Sequence, residues 1–319
     1  MTASHPPGPK PGNEKNTLPW VGLLHLLVIY VVWGSTYLAI RVAVREGAGF
    51  PPFTLGALRL LVAGGLLMLG VAVARLPLRL SRQDFTVLVL SGILLWIGGN
   101  GLIMWAEQRA DSGYAALLVS STPIWVAVIE ALLDRKMPST LLIASLLTGF
   151  AGIGLLAGPV LFTGDPADAL SVLALLVAPL SWGLGTMLMQ RRPVRLNPFV
   201  TSGYQQLFGG LGFAVVAVAL GEPAPTPTPE AWWAWGYLVV VGSLFAFTSF
   251  LLAVRMLPTS IVMTYAYVNP VVAVFLGWLI LHEPVNVWTI AGTTLVLLGV
   301  AGVFRNQNRL RRTGMTSGD

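Results

Sequence analysis

Apolar residues in this chain come in long unbroken runs, neither alternating nor confined to one helical stripe. Ten runs, at about 21–40, 52–74, 85–106, 113–133, 139–157, 169–190, 198–219, 231–254, 259–281 and 286–304, stand out. Each is close to the roughly 20 residues that carry a helix across a ~30 Å hydrocarbon layer. Their continuity and their Leu, Ala and Gly content argue against membrane strands. Most linkers are short, so neighbouring helices should be antiparallel. The expected fold is an all-α membrane protein of ten transmembrane helices. Residues 1–19, with PPGPKPGNEK in the middle, read as a disordered cytoplasmic tail, and 305–319 as a basic one. The APTPTPE stretch at 224–230 reads as a stiff extended loop. The first run has a weakly basic flank and no convincing cleavage site, so it reads as a retained helix.

Composition agrees with the runs. The chain is 55% hydrophobic and only 10% charged, with a mean hydropathy of +0.76, against about 25% charged residues in soluble domains. Such a surface must face something apolar. There is no cysteine, which removes disulfides and thiol chemistry. The net charge of +6 does not form a basic patch for nucleic acid; it sorts by side. Of 19 Lys and Arg residues, fifteen fall on the side of the N-terminus. Three (Arg41, Arg45 and Arg109) fall on the other side, and Arg59 lies within a span. The positive-inside rule then places both termini in the cytoplasm.

The chain also repeats. WGSTY at 33–37 answers WGLGT at 182–186, and PFTLGALRL at 52–60 answers PFVTSGYQQ at 198–206. DSGYAALLVSSTP at 111–123 answers PTSIVMTYAYVNP at 258–270, with Gly152 and Gly299 at the same offset of 147. Each unit, 20–158 and 169–304, holds five spans. An odd number makes the second unit enter the membrane from the opposite side, an inverted repeat.

VWGSTYLAIRVAV, GNGLIMWAEQ, SGYAALLVSSTP and TYAYVNPVVAVFLG resemble the EamA-type exporters of the drug/metabolite transporter superfamily. The resemblance runs through nearly all of 20–304 in motif order and spacing. It implies an inner-membrane carrier of two inverted five-helix EamA repeats around a central cavity, in a family that exports amino acids, drugs and other metabolites.

Polar groups inside apolar runs mark where such a cavity would lie. Tyr265, Asn269 and Pro270 sit near the middle of the ninth run, and Ser120 and Pro123 near the middle of the fourth. Interrupted helices at equivalent places of inverted halves point to a midplane site, with Pro123 and Pro270 as hinges. The competing reading makes Asn269 and the serines interhelical glue, worth about 0.6 kcal/mol per bond. Tyr30, Trp33 and Tyr37 share one face of the first helix, and Trp182 is the repeat partner of Trp33. Arg59 lies in the second run, and its repeat counterpart is Gln205 or Gln206. Arg59 either receives a solute carboxylate or pairs with Glu107, which follows Asn100 at the end of the third run. The candidate solute-binding set is therefore Trp33, Tyr37, Arg59, Asn100, Ser120, Trp182, Gln205, Tyr265 and Asn269, with Glu107 as ion-pair or coupling candidate.

The fifth and tenth runs are rich in small residues, including Gly154 and Gly158 at GxxxG spacing, and offer helix packing or a homodimer contact. No metal cluster and no cofactor are expected; the partners are a small solute and lipid. The functional expectation is a secondary transporter that exports amino acids or amphipathic, aromatic solutes by alternating access. There is no Walker motif, so direct ATP use is not expected. An intramembrane enzyme acting on lipid or peptide is the alternative, but HExxH, GxSxG and a mid-span histidine are all missing.

Overall fold

The computed structural model describes residues 19–315, apart from 136, 138, 163–165, 258 and 263. The tail expected at 1–19 falls outside the described residues except for Pro19. Among the described residues the chain is helical, without strands, and forms ten rods. These are α1 (Trp20–Val44), α2 (Pro52–Val73), α3 (Arg82–Ala106), α4 (Ser112–Leu133) and α5 (Thr140–Phe162) in the first half. The second half holds α6 (Pro166–Arg191), α7 (Pro198–Ala219), α8 (Pro229–Met256), α9 (Tyr265–Leu281) and α10 (Val287–Met315). A short turn of helix, Thr259–Val262, leads into α9. The basic segment after 304 thus continues α10 as helix to Met315.

Eight rods are long and apolar enough to cross a membrane. The other two are α7, which carries Gln205 and Gln206 side by side, and α9, which has 17 residues. Prolines open several rods where a missing N–H costs nothing: Pro52, Pro198 and Pro229 sit in first turns. Side-chain caps assist, with Asn197 accepting from Phe199 N at 2.9 Å and Thr228 from Ala231 N at 3.2 Å. Every rod carries large exposed apolar side chains, such as Leu27, Leu69, Val218 and Leu298. A belt of that size is stable against lipid and not against water.

The two halves interlock rather than sit side by side. The most extensive seams are α2 against α7 and α5 against α10. α1 packs on α8 and α9, and α6 packs on α3 and α4, which is the same relation moved five rods along. The symmetry reaches single residues. A Cβ at Gly64 would lie 3.0 Å from Leu207 N, and one at its repeat partner Gly210 would lie 2.9 Å from Leu61 N. Likewise a Cβ at Gly152 would meet Val296 N at 2.6 Å, and one at Gly299 would meet Gly149 Cα at 2.6 Å. The small-residue faces of α5 and α10 therefore meet each other within one chain. Gly154 faces open space.

Candidate functional site

Among the described residues the helices depart from regular α geometry in several places. In α3 the stretch Ile93–Gly101 is π-helical, and in α8 so is Leu238–Ala246, at nearly the same place in its half. Such widened turns free backbone groups and often mark functional positions. In α4 the hydrogen-bond ladder loosens at Ser120 and Ser121, directly before Pro123. There Ser120 and Ser121 donate to Leu117 O and Leu118 O, both at 2.6 Å, re-satisfying the local carbonyls. Before α9 the break comes at Thr264, whose N–H reaches Ile261 O at 3.1 Å. Pro270 lies inside continuous helix, more than a turn further on. The interruptions in α4 and α9 are therefore offset: one immediately precedes its proline and the other does not.

Residues of α1, α2, α3, α4, α6 and α9 line a central cavity. Trp33, Tyr37, Arg59, Asn100, Ser120, Trp182, Tyr265, Asn269 and Pro270 all line it. Gln205 does not: it is fully buried and donates to Ser91 Oγ at 2.9 Å. Pro123 and Glu107 also stand outside the lining. Its volume is about 80 Å³, room for a few waters.

That wall is built on the pseudo-symmetry. Trp33 and its repeat partner Trp182 meet edge to face, with ring centroids 5.8 Å apart. Trp33 also packs on Tyr265 at 5.2 Å and Phe250 at 5.0 Å. Trp96 touches Trp182 at 6.5 Å and lines the same space. The sequence reading missed Trp96, which sits in an apolar run with no polar neighbour to single it out. Asn269 lines the cavity and also bonds across helices. Its amide N, oriented to satisfy its surroundings, donates to Tyr30 O at 3.2 Å and Tyr265 O at 3.3 Å, so a lining residue also ties α1 to α9.

Arg59 is the one cation among the lining residues. It is 3% exposed, its Nε donates to Ser243 Oγ at 2.8 Å, and its guanidinium stands 5.6 Å from the Trp96 ring centroid. It is not paired with Glu107: both carboxylate oxygens of Glu107 are buried without a hydrogen-bond partner. Arg59 Nη1 and Trp96 Nε1 are buried donors that also lack one. Unsatisfied donors on residues facing a cavity are costly unless something arrives to accept from them.

Known proteins share the sequence of this chain across both halves. The EamA-like transporter family matches residues 20–158 and 169–305. The chain belongs to that family. It is 30% identical over 265 residues to the uncharacterized inner membrane transporter YedA of Escherichia coli strain K12, covering 82% of this chain and 83% of the relative. It is 23% identical to the uncharacterized transporter YoaV of Bacillus subtilis strain 168, over 87% of this chain and 94% of that one. A solved crystal structure of a protein 21% identical superposes with a TM-score of 0.63, over 91% of this chain and 98% of that chain. This supports the fold alone.

In this EamA-like chain, one end of the bundle is latched between the halves. At the arginine-poor end, Glu222 of the α7–α8 loop accepts from Phe53 N at 2.9 Å and from Thr54 N and Oγ1, each at 2.7 Å. Glu283, after α9, accepts from Ser112 N and Oγ at 2.8 Å and Gly113 N at 2.9 Å. Each glutamate caps a helix N-terminus of the opposite half, where the helix dipole favours an anion. Thr226 N and Thr228 N add bonds to Gly49 O and Ala48 O at 2.9 and 3.0 Å. No sequence motif announced these caps.

Proposed function

We propose that this membrane transporter exports small organic solutes bearing a carboxylate on an aromatic or amphipathic body, an amino acid or a comparable drug-like acid. The observation that carries the reading is the buried pair of unpartnered donors, Arg59 Nη1 and Trp96 Nε1, on residues that line an aromatic-walled cavity. Arg59 would accept the carboxylate, and Asn100 and Asn269 would orient polar groups beside it. The rings of Trp33, Trp182 and Tyr265 would take the apolar body.

Ten spans in two inverted repeats, with both termini cytoplasmic, fit the Lys/Arg asymmetry and the five-rod relation between the halves. In that orientation the arginine-poor end faces outward, and the Glu222 and Glu283 caps would hold it closed. Alternating access then consists of breaking these caps while the opposite end closes. The test is untargeted metabolomics of spent medium from deletion and overexpression strains. A carboxylate-bearing solute should accumulate outside on overexpression, and Arg59→Gln should abolish the difference with protein level unchanged. Extracellular changes confined to neutral or cationic solutes would refute this reading.

A further inference from the structure

A second cavity of about 230 Å³ lies at the arginine-poor end, with Asp111 and Glu283 among its lining. Between it and the central cavity sits Glu107. Ile103, one helical turn before Glu107, lines the central cavity, and Asp111, four residues further along the loop, lines the other. Glu107 is fully buried, and neither carboxylate oxygen has a partner. An ionised carboxylate in such a place costs several kcal/mol, so the group must either find a cation or take a proton.

The nearby cation does not serve it. Arg41 of α1 donates instead to the backbone carbonyl of Glu107, at 2.6 Å. Among the described residues, no group of three or more His, Cys, Asp or Glu side chains is arranged to hold a metal ion beside it. Glu283 of the α9–α10 loop and Tyr37 of α1 are within electrostatic reach of Glu107, and Asp111, in the same loop as Glu107, is within that of Glu283 and Arg41. Two neighbouring carboxylates are not both ionised cheaply, and the proton goes to the one less well solvated. Glu283 has three donors at the N-terminus of α4; Glu107 has none.

We propose that Glu107 is a proton-binding site linked to the opening of the arginine-poor end. The proposal rests on the transporter reading above. When that end opens, the Glu107 carboxylate meets water and takes up a proton from it, forming the neutral acid. Closure buries the acid beside Glu283. Reopening wets the acid again and lets it return its proton to water, so the site couples pH to the opening of this end and no other bond changes.

Burial first, and Glu283 second, hold the Glu107 carboxyl well above the usual carboxylate range, against the pull of Arg41. Asp111 is raised for the same reasons in the same order. The sign follows from linkage. A carboxyl raised in the closed form binds a proton there more tightly than when wetted. Protonation therefore favours closure, and closure loses that advantage as pH rises through the raised value.

Two readouts on the full chain in lipid bilayers test this without any solute. Infrared spectra near neutral pH should contain a protonated-carboxyl band that Glu107→Gln removes and Asp111→Asn leaves. Should Glu107→Gln fail to fold, Glu107→Asp should shift the band's frequency. The second readout uses the absence of native cysteine. An Ile103→Cys reporter, labelled by an impermeant maleimide and normalised to a Glu46→Cys reporter at an exposed loop position, should react several-fold faster as pH rises. With Glu107→Gln, which imitates the neutral acid, it should stay protected at every pH. A missing band, a band removed by Asp111→Asn instead, or an unchanged labelling profile in Glu107→Gln would overturn the proposal. Lack of any exported solute with both readouts intact would instead sink the transporter reading alone.

Discussion

Arg59 and Gln205 occupy equivalent places in the two halves, and each reaches a serine on the third helix of the other half. Arg59 on α2 donates to Ser243 on α8, and Gln205 on α7 donates to Ser91 on α3. The scaffold role is shared; the surroundings are not. Gln205 is fully buried away from the cavity, whereas Arg59 keeps a free donor on a cavity-lining side chain. A twofold scaffold therefore holds a one-sided site. Both halves hold a polar group at this position, and only one half gives it a charge.

Exchanging the two residues tests that division most severely. Gln205→Arg would bury a cation with no carboxylate to meet it, a change that costs about 3–5 kcal/mol. Detergent-extracted yield and thermal unfolding should both collapse. A stable Gln205→Arg protein would mean the second half tolerates charge there, and the contrast between the halves would dissolve.

The reverse exchange, Arg59→Gln, should leave folding nearly intact, because Gln can still reach Ser243. Export should fall by more than tenfold, in line with about 2–5 kcal/mol for losing one partner of a buried charged contact. Equal loss of thermal stability and export would show that Arg59 is structural.

Where the halves are alike, paired substitutions should behave alike. Gly64→Ala and Gly210→Ala each push a methyl against backbone at 3.0 and 2.9 Å. Each should lower thermal stability by about 1–3 kcal/mol, and by the same amount. A large difference between them would show that the reciprocal seam is unequally tight.

The smallest effects are expected at the prolines. Pro123 sits in the first turn of its helix segment, so Pro123→Ala changes little. Pro270 lies in helix interior, where Pro270→Ala restores a backbone donor and should slow turnover by stiffening α9. Flux per molecule, compared with expression, separates the two; equal slowing would restore them as matching hinges.

Much of this architecture was legible in the sequence because it depends on long-range periodicity and repetition. The ten apolar runs correspond to ten rods, and WGSTY opposite WGLGT marked Trp33 and Trp182 as repeat partners, which the fold brings edge to face. Asn100, Ser120 and Asn269 stood out because polar atoms are conspicuous in lipid-like surroundings. Trp96 did not, since its role depends on one unpaired indole N–H in an otherwise apolar stretch. The π-helical segments of α3 and α8 were also silent: widening a turn by one residue leaves the side-chain pattern nearly unchanged. Arg59 and Glu107 were plausible partners by depth alone, but which cation and which anion meet depends on helix rotation. Glu283 and Glu222, at loop positions, carried no signal of the helix ends they cap.

The reciprocal glycine seams also bear on how the chain is made. Synthesis delivers α2 and α5 to the bilayer long before α7 and α10 exist, so their glycine-lined grooves first meet lipid. The α2 groove has its proper filling only when α7 has been threaded, and the α5 groove only when α10 has. The nascent first half is thus an unfinished surface, with glycine-lined faces not yet covered by their partners. A chain truncated after 158 would keep that surface permanently, and the ribosome's progress to residue 300 marks the moment at which the protein ceases to look incomplete.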